Sequence, residues 1–265
     1  MTVDMLTHDR SALVFIVSIA VCWSLEAWQR RPAQYVPGRR GRNLAINIVT
    51  LVLAGLGGAG AAVAAEYAAG LGWGLSSFAG WPAWLRFALG LLAIDCVDYW
   101  RHRLSHELAP VWLLHRLHHS DPDVDATTSL RNHPLESVMR GAIFAAAALA
   151  FGIPVESFAV HTMLQLPVQV FQHARIRLPE AADRLLRLFI VTPAWHLVHH
   201  SQDRIQTDSN YATLFTIWDR LFGSAGSLEP PRALGLADFA RPYDRTLGGM
   251  LMNPWLEAGH HTGPG

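Results

Sequence analysis

Charge is scarce in this chain, and lysine is missing from it altogether. Charged residues make up 16% of the 265 residues, against roughly 25% in ordinary soluble domains, and the formal net charge is zero. All 21 basic residues are arginine. A neutral chain gives no indication of a nucleic-acid partner.

Cysteine is almost absent as well. The two cysteines, Cys22 and Cys96, both lie in apolar stretches. We therefore expect no disulfide, and the sequence contains no cysteine-based metal motif.

Apolar residues dominate instead, at 51% of the chain with a mean hydropathy of +0.19. A helix that spans a membrane needs about 20 mostly apolar residues. Residues 11–25 carry no charge, and the stretch can extend past Glu26 to Gln29. Residues 43–85 carry only Glu66, which is long enough for one span and the start of a return.

The breaks in these runs predict where the helices turn. Glycines and tryptophans at 70–73 and 80–82 indicate a turn at the membrane interface, followed by a return helix from about Trp84 through Trp100. Residues 141–174 carry only Glu156, and Gly152 and Pro154 divide them into two arms of a helical hairpin.

These patterns predict an all-α fold, an integral membrane bundle of about four transmembrane helices, two of which can form a hairpin. Residues 1–265 then form a single membrane domain. Two alternatives stay open: residues 11–29 could be a cleaved signal peptide, and the other runs could be core helices of a soluble protein. The length of the other runs favours spans.

The arginines predict an orientation. Five of them lie between the first two runs, and the positive-inside tendency places that connection in the cytoplasm; they are Arg30, Arg31, Arg39, Arg40 and Arg42. Counting spans onward returns residues 102–134 and His173 to the same side. We expect a bacterial inner-membrane protein with a helical cap on its cytoplasmic side.

Histidine is the unusual constituent. Eleven of the 14 histidines lie between His102 and His200, and most follow a regular spacing; the regular ones are His102, His106, His115, His118, His119, His133, His173, His196, His199 and His200. Neutral imidazole is a ligand for iron, copper, zinc and nickel. Helix positions i, i+3 and i+4 share a face, so each His-x-x-His-His triplet predicts three nitrogens aimed in one direction. Their number exceeds one tetrahedral ion and suggests two metals.

The alternative for one triplet is an exposed helix that happens to be rich in histidine, but the same spacing occurs twice. Thr192 and Pro193 are suited to the N-cap and first position of the second helix. His133 could be a ligand or a donor to one. Gln169, one helical turn before His173, could hold a water or a hydrogen bond.

Other residues are assigned less specific roles. Asp95 and Asp98 share a helix face with His102, and Asp98 could accept the free ring N–H of that ligand. His161 lies in an apolar arm and is typical of a satisfied buried histidine. His8, His260 and His261 lie in the tails. The remaining charges near the motifs are more typical of surface residues; they are Arg116, Arg131, Arg175, Asp203, Asp208 and Asp219.

The ordered motifs resemble those of the fatty acid hydroxylase and sterol desaturase superfamily over about residues 90–224. They are Asp-x-x-x-Tyr-Trp-x-His-Arg-x-x-His at 95–106, His-x-x-His-His-Ser at 115–120, Arg-x-His-Pro-x-Glu at 131–136, Phe-x-His at 171–173, Thr-Pro-x-x-His-x-x-His-His-Ser at 192–201 and Asn-Tyr to Trp-Asp-Arg-Leu-Phe-Gly at 210–223. Ala212 departs from the glycine that relatives often carry, which concerns backbone shape only.

The resemblance implies a membrane oxygenase or desaturase with two irons on the cytoplasmic face. It implies nine histidine ligands, with His133 as a further candidate; they are His102, His106, His115, His118, His119, His173, His196, His199 and His200. O2 would be the co-substrate, and Asp95 and Asp98 are candidates for tuning or proton delivery. Residues 210–223 would lie on the membrane surface and close over the site.

The sequence leaves the substrate open among sterol-like lipids, fatty acyl chains, ether lipids and carotenoids, and it leaves hydroxylation and desaturation open. We identify no dinucleotide-binding motif, so a separate electron donor is implied, such as a ferredoxin or a cytochrome with its reductase. A membrane hydrolase with metal-bound water and a metal transporter or store are the competing functions.

Overall fold

The computed structural model describes residues 3–30, 33, 36–78, 80–237 and 245–256, with side chains from residue 13 onward. The predictions for Arg31, His260 and His261, and for the side chain of His8, lie outside this part. Eleven α-helices are described: α1 (Val3–Gln29), α2 (Arg39–Gly70), α3 (Ala83–Glu107), α4 (Ala109–His119), α5 (Pro134–Phe151), α6 (Val155–His173), α7 (Glu180–Leu186), α8 (Pro193–His199), α9 (Arg204–Thr207), α10 (Ile217–Leu221) and α11 (Leu247–Leu256).

The predicted all-α class is confirmed. Within the described ranges there is no β-strand, only isolated bridges between Ile190 and Phe215 and between Ser201 and Leu234. The predicted return helix is longer than expected: α3 continues to Glu107 and so carries His102 and His106. The reason is that no helix breaker follows Trp100 until Pro110.

The predicted break is present, with α5 and α6 separated at Gly152 and Pro154, but α5 packs mainly on α2, and α6 packs mainly on α1 and α3. Gly152 has a positive φ of 57°, and so does Gly74 across from it, at 63°. A Cβ on Gly152 would lie 2.3 Å from the carbonyl oxygen of Trp73. Glycine is therefore required here because two backbones meet at the ends of α2 and α5.

α2 and α5 form the most extensive helix pair and run in the same direction. Near the start of α2, Thr50 donates to the carbonyl of Asn132, just before α5. At their far ends the Gly74 and Gly152 backbones meet. Midway, Gly57 lies against Gly141, so closely that a Cβ on either residue would overlap the other backbone.

In the part of the chain that the structure describes, two helices are long and apolar enough to cross a membrane by length and composition, α2 and α5; the apolar part of α1, Leu13–Gln29, is shorter. Ile48, Val52 and Leu56 form a stripe on α2 and are 65–68% exposed, as expected for side chains that face lipid. The count of four spans and the cytoplasmic cap stay predictions.

The ends of α1 and α2 are fastened to the histidine-bearing half of the chain. Glu26 accepts hydrogen bonds from the backbone N–H groups of Ala126 and Arg175, both at 2.8 Å. Arg39 is buried and forms ion pairs with Asp121 and Asp125. Arg39 therefore forms a structural ion pair, whereas the sequence suggests a free charge in a loop.

Candidate metal centre

The histidine ligands are carried by four helices that meet at one end of the bundle. α3 ends with His102 and His106, α4 supplies the first triplet, α6 ends with His173, and α8 together with its C-cap residue His200 supplies the second triplet. α4 starts at Ala109 with Pro110 in its first turn. α8 starts as predicted, because the Thr192 hydroxyl accepts from the backbone N–H of Trp195 and Pro193 follows it.

Nine of the ten predicted metal ligands converge, and they form two groups. Each group is buried, and within it the ligand atoms lie within 4.8 Å of one another. Group one is His102, His106, His115, His119 and His199; group two is His118, His173, His196 and His200.

Each triplet is divided between the two groups, which corrects the prediction of one shared direction. His115 and His119 point to group one, while His118 points to group two. On a helix, consecutive residues differ by about 100° in direction, whereas i and i+4 differ by about 40°. The second triplet is divided in the opposite sense, since His196 and His200 belong to group two and His199 to group one.

Four of these rings are held through Nδ1. The Nδ1 of His102 lies 2.7 Å from the carbonyl oxygen of Tyr211, and that of His199 lies 2.7 Å from the carbonyl oxygen of Ser209. His173 makes the same contact at 2.7 Å with the carbonyl oxygen of Gln169. A carbonyl oxygen only accepts, so each of these Nδ1 atoms carries the proton and donates it.

The fourth ring differs in its partner. The Nδ1 of His115 lies 2.8 Å from the Oε1 atom of Glu136, a buried carboxylate at the start of α5. A carboxylate paired with a ligating imidazole orients the ring and raises the basicity of its other nitrogen. The sequence analysis did not assign this role to Glu136.

The Nε2 lone pairs then face one another with no proton between them. The Nε2 of His102 lies 3.1 Å from the Nε2 of His115 and 3.1 Å from the Nε2 of His199. Nitrogens that bind one ion at about 2.1 Å, at right angles to each other, lie about 3 Å apart. The donor set therefore fits a cation enclosed by group one.

In group two the Nε2 atoms also lie close to one another. The Nε2 of His173 lies 3.0 Å from the Nε2 of His118 and 3.0 Å from that of His196. His200 completes the group, with its Nε2 3.2 Å from the Nε2 of His196. An all-imidazole set suits iron, copper, zinc or nickel.

Burial keeps these imidazoles neutral and ready to bind metal. Loss of water, together with the nearby His115 and His173, lowers the pKa of His199 to about 3, although its hydrogen bond to the Ser209 carbonyl opposes the shift. Desolvation, followed by the neighbouring imidazoles, holds the pKa of His118, His119 and His200 well below the usual value. Protonation of such a set would place several like charges together without water.

His133 lies outside both groups. Its Nδ1 accepts from the backbone N–H of Leu135 at the start of α5, and its Nε2 donates to the carbonyl of Leu251 on α11 at 2.9 Å. Both ring nitrogens are thus occupied by the docking of α5 and α11. Gln169 also keeps its amide away from the groups, donating to the carbonyl of Ser129.

The two candidate catalytic acids do not touch the ligands. Asp98 accepts from Arg101 at 2.7 Å and from Thr213 at 3.0 Å, while the N–H of His102 goes to Tyr211. Asp98 is linked to the site indirectly, because Arg101 also contacts Glu136.

Asp95 lies 3.0 Å from the Nε2 of His161 and accepts from the indole of Trp218 at 2.7 Å. This contact agrees with the interpretation of His161 as a satisfied buried histidine.

The loop at 209–212 supplies ring acceptors that sequence reasoning missed. Asn210 has a positive φ of 56°, and the carbonyls on either side of it bind His199 and His102. Its side chain bonds to the carbonyl of Trp195 and the N–H of Gly226. The Asn-Tyr pair in the motif was the available signal, although backbone carbonyls themselves leave no trace in a sequence.

Asp219 holds the same loop in place through its carboxylate. The sequence analysis expected a surface charge at this position. It is buried and accepts from the backbone N–H groups of Tyr211 at 2.7 Å and Ala212 at 3.1 Å. The indole N–H of Trp195 also donates to it. Arg116 and Arg131 are likewise fully buried. These charges hold the backbone around the groups.

Comparison with known proteins matches the site to one family. The family model described as fatty acid hydroxylase matches residues 87–224. The alkylglycerol monooxygenase of Xenopus tropicalis is 36% identical over 146 residues, which is 54% of this chain and 30% of that protein. The human alkylglycerol monooxygenase is 36% identical over 135 residues, or 50% of this chain and 29% of that protein.

For a bacterial relative, the match covers a larger share of the relative's own length. The ornithine lipid hydroxylase of Rhizobium tropici is 28% identical over 178 residues, which is 62% of this chain and 52% of that protein. The chain thus spans about a third to a half of the length of these relatives. No solved structure matches it significantly.

Proposed function

The chain belongs to the fatty acid hydroxylase family, and on this basis we propose that it is a membrane-bound non-haem di-iron oxygenase. It uses O2 and an external reductant to hydroxylate a membrane lipid. The observation that supports this most directly is the pair of adjacent buried histidine groups, in which Nε2 atoms of different histidines lie 3.0–3.1 Å apart.

Each group would hold one iron ion. Group one offers five imidazoles and group two offers four. When bound, the two irons supply the oxidising power to break an unactivated C–H bond with O2. Overall, C–H + O2 + two electrons + two protons gives C–OH + H2O.

The protein residues have three tasks in this reaction. The carbonyls of Tyr211, Ser209 and Gln169 fix the rings of His102, His199 and His173. Glu136 holds His115 and strengthens it as a donor. Burial of all nine histidines limits the water around them, which reduces competition for the metals and protonation of the ligands.

Hydroxylation of a lipid chain is favoured over desaturation by the names of the relatives. The alkylglycerol monooxygenases and the ornithine lipid hydroxylase are both named for adding oxygen to lipids that combine a polar head with a long chain. We propose a substrate of this class, an ether lipid or another polar lipid with a fatty acyl chain, that reaches the site from the bilayer. Sterols and carotenoids are the less favoured substrates.

We place the site on the cytoplasmic side of a bacterial inner membrane. Arg39, which begins α2 after the arginine-rich connection, pairs with Asp121 and Asp125 beside the first triplet. The connection and the histidines therefore lie at the same end of α2. The positive-inside tendency places the connection in the cytoplasm, and the histidines then lie on the cytoplasmic side with it.

Electrons would come from a separate ferredoxin, or from a cytochrome with its reductase. The sequence analysis assigned no dinucleotide-binding motif, but residues 55–60 read Gly-Leu-Gly-Gly-Ala-Gly and do have the spacing of that fingerprint. That fingerprint works at a turn from a strand to a helix, whereas this segment lies inside α2. It therefore does not provide a binding site for a nicotinamide cofactor.

Isotope labelling of lipids tests this function. Cells expressing the wild type or the His118→Ala, His119→Ala variant would be grown under ¹⁸O2, and their lipids compared by mass spectrometry. We expect one added ¹⁸O atom in a polar lipid of the wild-type cells only. Loss of two hydrogens would indicate desaturation, oxygen from water would indicate a hydrolase, and an unchanged lipid profile would favour metal transport or storage.

A further inference from the structure

A polar cavity of about 290 Å³ lies beside group one. Arg103, Glu107, Arg204 and Asp208 line it, together with Tyr211 and the ligand His106. The side chains of Arg204 and Glu107 are 63% and 43% exposed, so the rim is in contact with solvent. The side chain of His106 is 1% exposed and lies at the inner end.

His106 differs from the ligands that are locked through Nδ1. Neither of its ring nitrogens has a hydrogen-bond partner among the described residues. The nearest acid is Asp208, whose Oδ1 lies 3.5 Å from the Nδ1 of His106, longer than a hydrogen bond. A polar ring buried in this way needs a partner, and the cavity is where water can supply one.

The rim of the cavity carries balanced charge. Arg103 pairs with Glu107 at 2.7 Å, and Arg204 pairs with Asp208 at 2.9 Å. Such a rim repels neither anions nor neutral molecules. His106 is the ligand that lines the cavity, and it belongs to group one. The cavity therefore leads to group one and not to group two.

We propose that this cavity is the aqueous route to group one, through which water and small anions reach a metal beside His106. The inference rests on the proposed function, because each hydroxylation consumes two protons and forms one water molecule at ligands that are otherwise buried. Water and small ions pass through the polar cavity, while the lipid reaches the metals from the bilayer.

The test uses the full-length protein in lipid nanodiscs, loaded with Co²⁺, and azide as the probe. Binding of azide to cobalt changes its visible absorption, and stopped-flow mixing gives the association rate. Arg204→Trp places an indole in the rim of the cavity, and Arg204→Ala removes the same charge without adding bulk. Arg184→Trp is the matched control, since the Arg184 side chain is also exposed, at 61%, and also pairs with an acid four residues away.

We expect Arg204→Trp to bind cobalt as the wild type does but to slow azide association by about tenfold or more, because access then requires the indole to move. Arg184→Trp should match the wild type, and Arg204→Ala should stay within about a few fold of it, since only electrostatic attraction changes. Glu107→Trp, on the same rim, is a second obstruction in case Arg204→Trp binds less cobalt.

The outcomes separate this inference from the proposed function. A wild type that binds no cobalt at the histidines would overturn both. A wild type that binds cobalt, with azide association unchanged in both tryptophan variants of the rim, would overturn only the aqueous route. Loss of cobalt in both variants would also count against it, because a solvent-filled cavity should accept an indole without disturbing the ligands.

Discussion

The ring of His119 stacks on the ring of His200 with centroids 4.6 Å apart, although each ring belongs to a different group. This contact joins α4 to the end of α8 and brings the two groups side by side. Because His118 and His119 are consecutive, as are His199 and His200, each helix end contributes to both groups. The backbone of two consecutive histidines therefore links the two groups at each helix end.

Single substitutions in the first triplet should affect the groups separately. His118→Ala leaves three ligands in group two, whereas His119→Ala leaves four in group one. We expect His118→Ala to lose about one ion per chain and His119→Ala to lose less, since four nitrogens still complete a tetrahedral site. The double variant should lose at least as much metal as His118→Ala, because group two again keeps three ligands while group one keeps four. Metal per chain, measured by mass spectrometry on membrane-inserted protein, checks this.

His133→Ala is the control for that series. Its ring holds α5 and α11 and lies outside both groups, so the variant should keep its full metal content. A His133→Ala protein that lost one ion, or a double variant that kept both, would contradict the assignment of the ligands.

Acid should release the metals. The buried ligands have pKa values lowered by desolvation, so the folded state resists protonation while an unfolded chain takes up protons near the usual histidine pKa of about 6.5. The unfolded state therefore binds more protons below that pH. The contribution to stability is present above about pH 6.5 and declines as the pH falls. Metal binding has the same sign, because it needs neutral imidazole.

We expect full metal content at pH 7–8, estimated from the histidine pKa, and progressive loss below about pH 6. Dialysis over a pH series, followed by metal analysis and circular dichroism, measures both release and folding. Because burial lowers the pKa of ligands such as His199 to about 3, release should accompany the loss of helical signal, and release near pH 6 from fully folded protein would contradict the lowered pKa values.

Local signals explain what could be predicted from the sequence. Thr192 and Pro193 start α8, and Gly152 and Pro154 separate α5 from α6, because these residues act through their own backbone preferences. Histidine spacing was equally informative, since nine of the predicted ligands converge. The division of each triplet was missed, because it depends on how α4 and α8 dock.

Long-range partners explain what could not be predicted. Arg39 reads as a free charge in a loop, yet its partners lie more than 80 residues later in the chain. The acceptors at residues 209 and 211 are backbone carbonyls, which every residue possesses. His133 fits the histidine pattern, but its Nε2 donates to a backbone carbonyl of α11 instead. Tertiary docking decides each of these cases.

Glu136 provides a test of ligand orientation. Glu136→Gln keeps an acceptor for the Nδ1 of His115 but removes the charge, whereas Glu136→Ala removes both. Loss of such a partner typically costs about 10- to 100-fold in metal affinity. We expect the alanine variant in this range and the glutamine variant between it and the wild type. Chelator competition measures the affinity.

Glu180→Gln is the matched control for Glu136, because Glu180 lies at the exposed start of α7 and forms an ion pair with Arg184 at 3.6 Å. It should leave metal affinity unchanged. Equal affinity in Glu136→Ala and the wild type would show that the Glu136–His115 contact does not orient a ligand.

The contact between α2 and α5 gives the last prediction. A Cβ on Gly141 would lie 2.5 Å from the Cα of Gly57, and backbone atoms cannot yield as a flexible side chain can. Gly141→Ala gains about 1 kcal/mol of helix propensity but costs about 1–3 kcal/mol in overpacking, so we expect net destabilisation. Gly58→Ala, one residue along in α2 with nothing within 4 Å of its Cβ, should stabilise by up to about 1 kcal/mol. Opposite shifts in Tm of the detergent-solubilised proteins would confirm that the glycines let these helices touch, and equal shifts would argue against it.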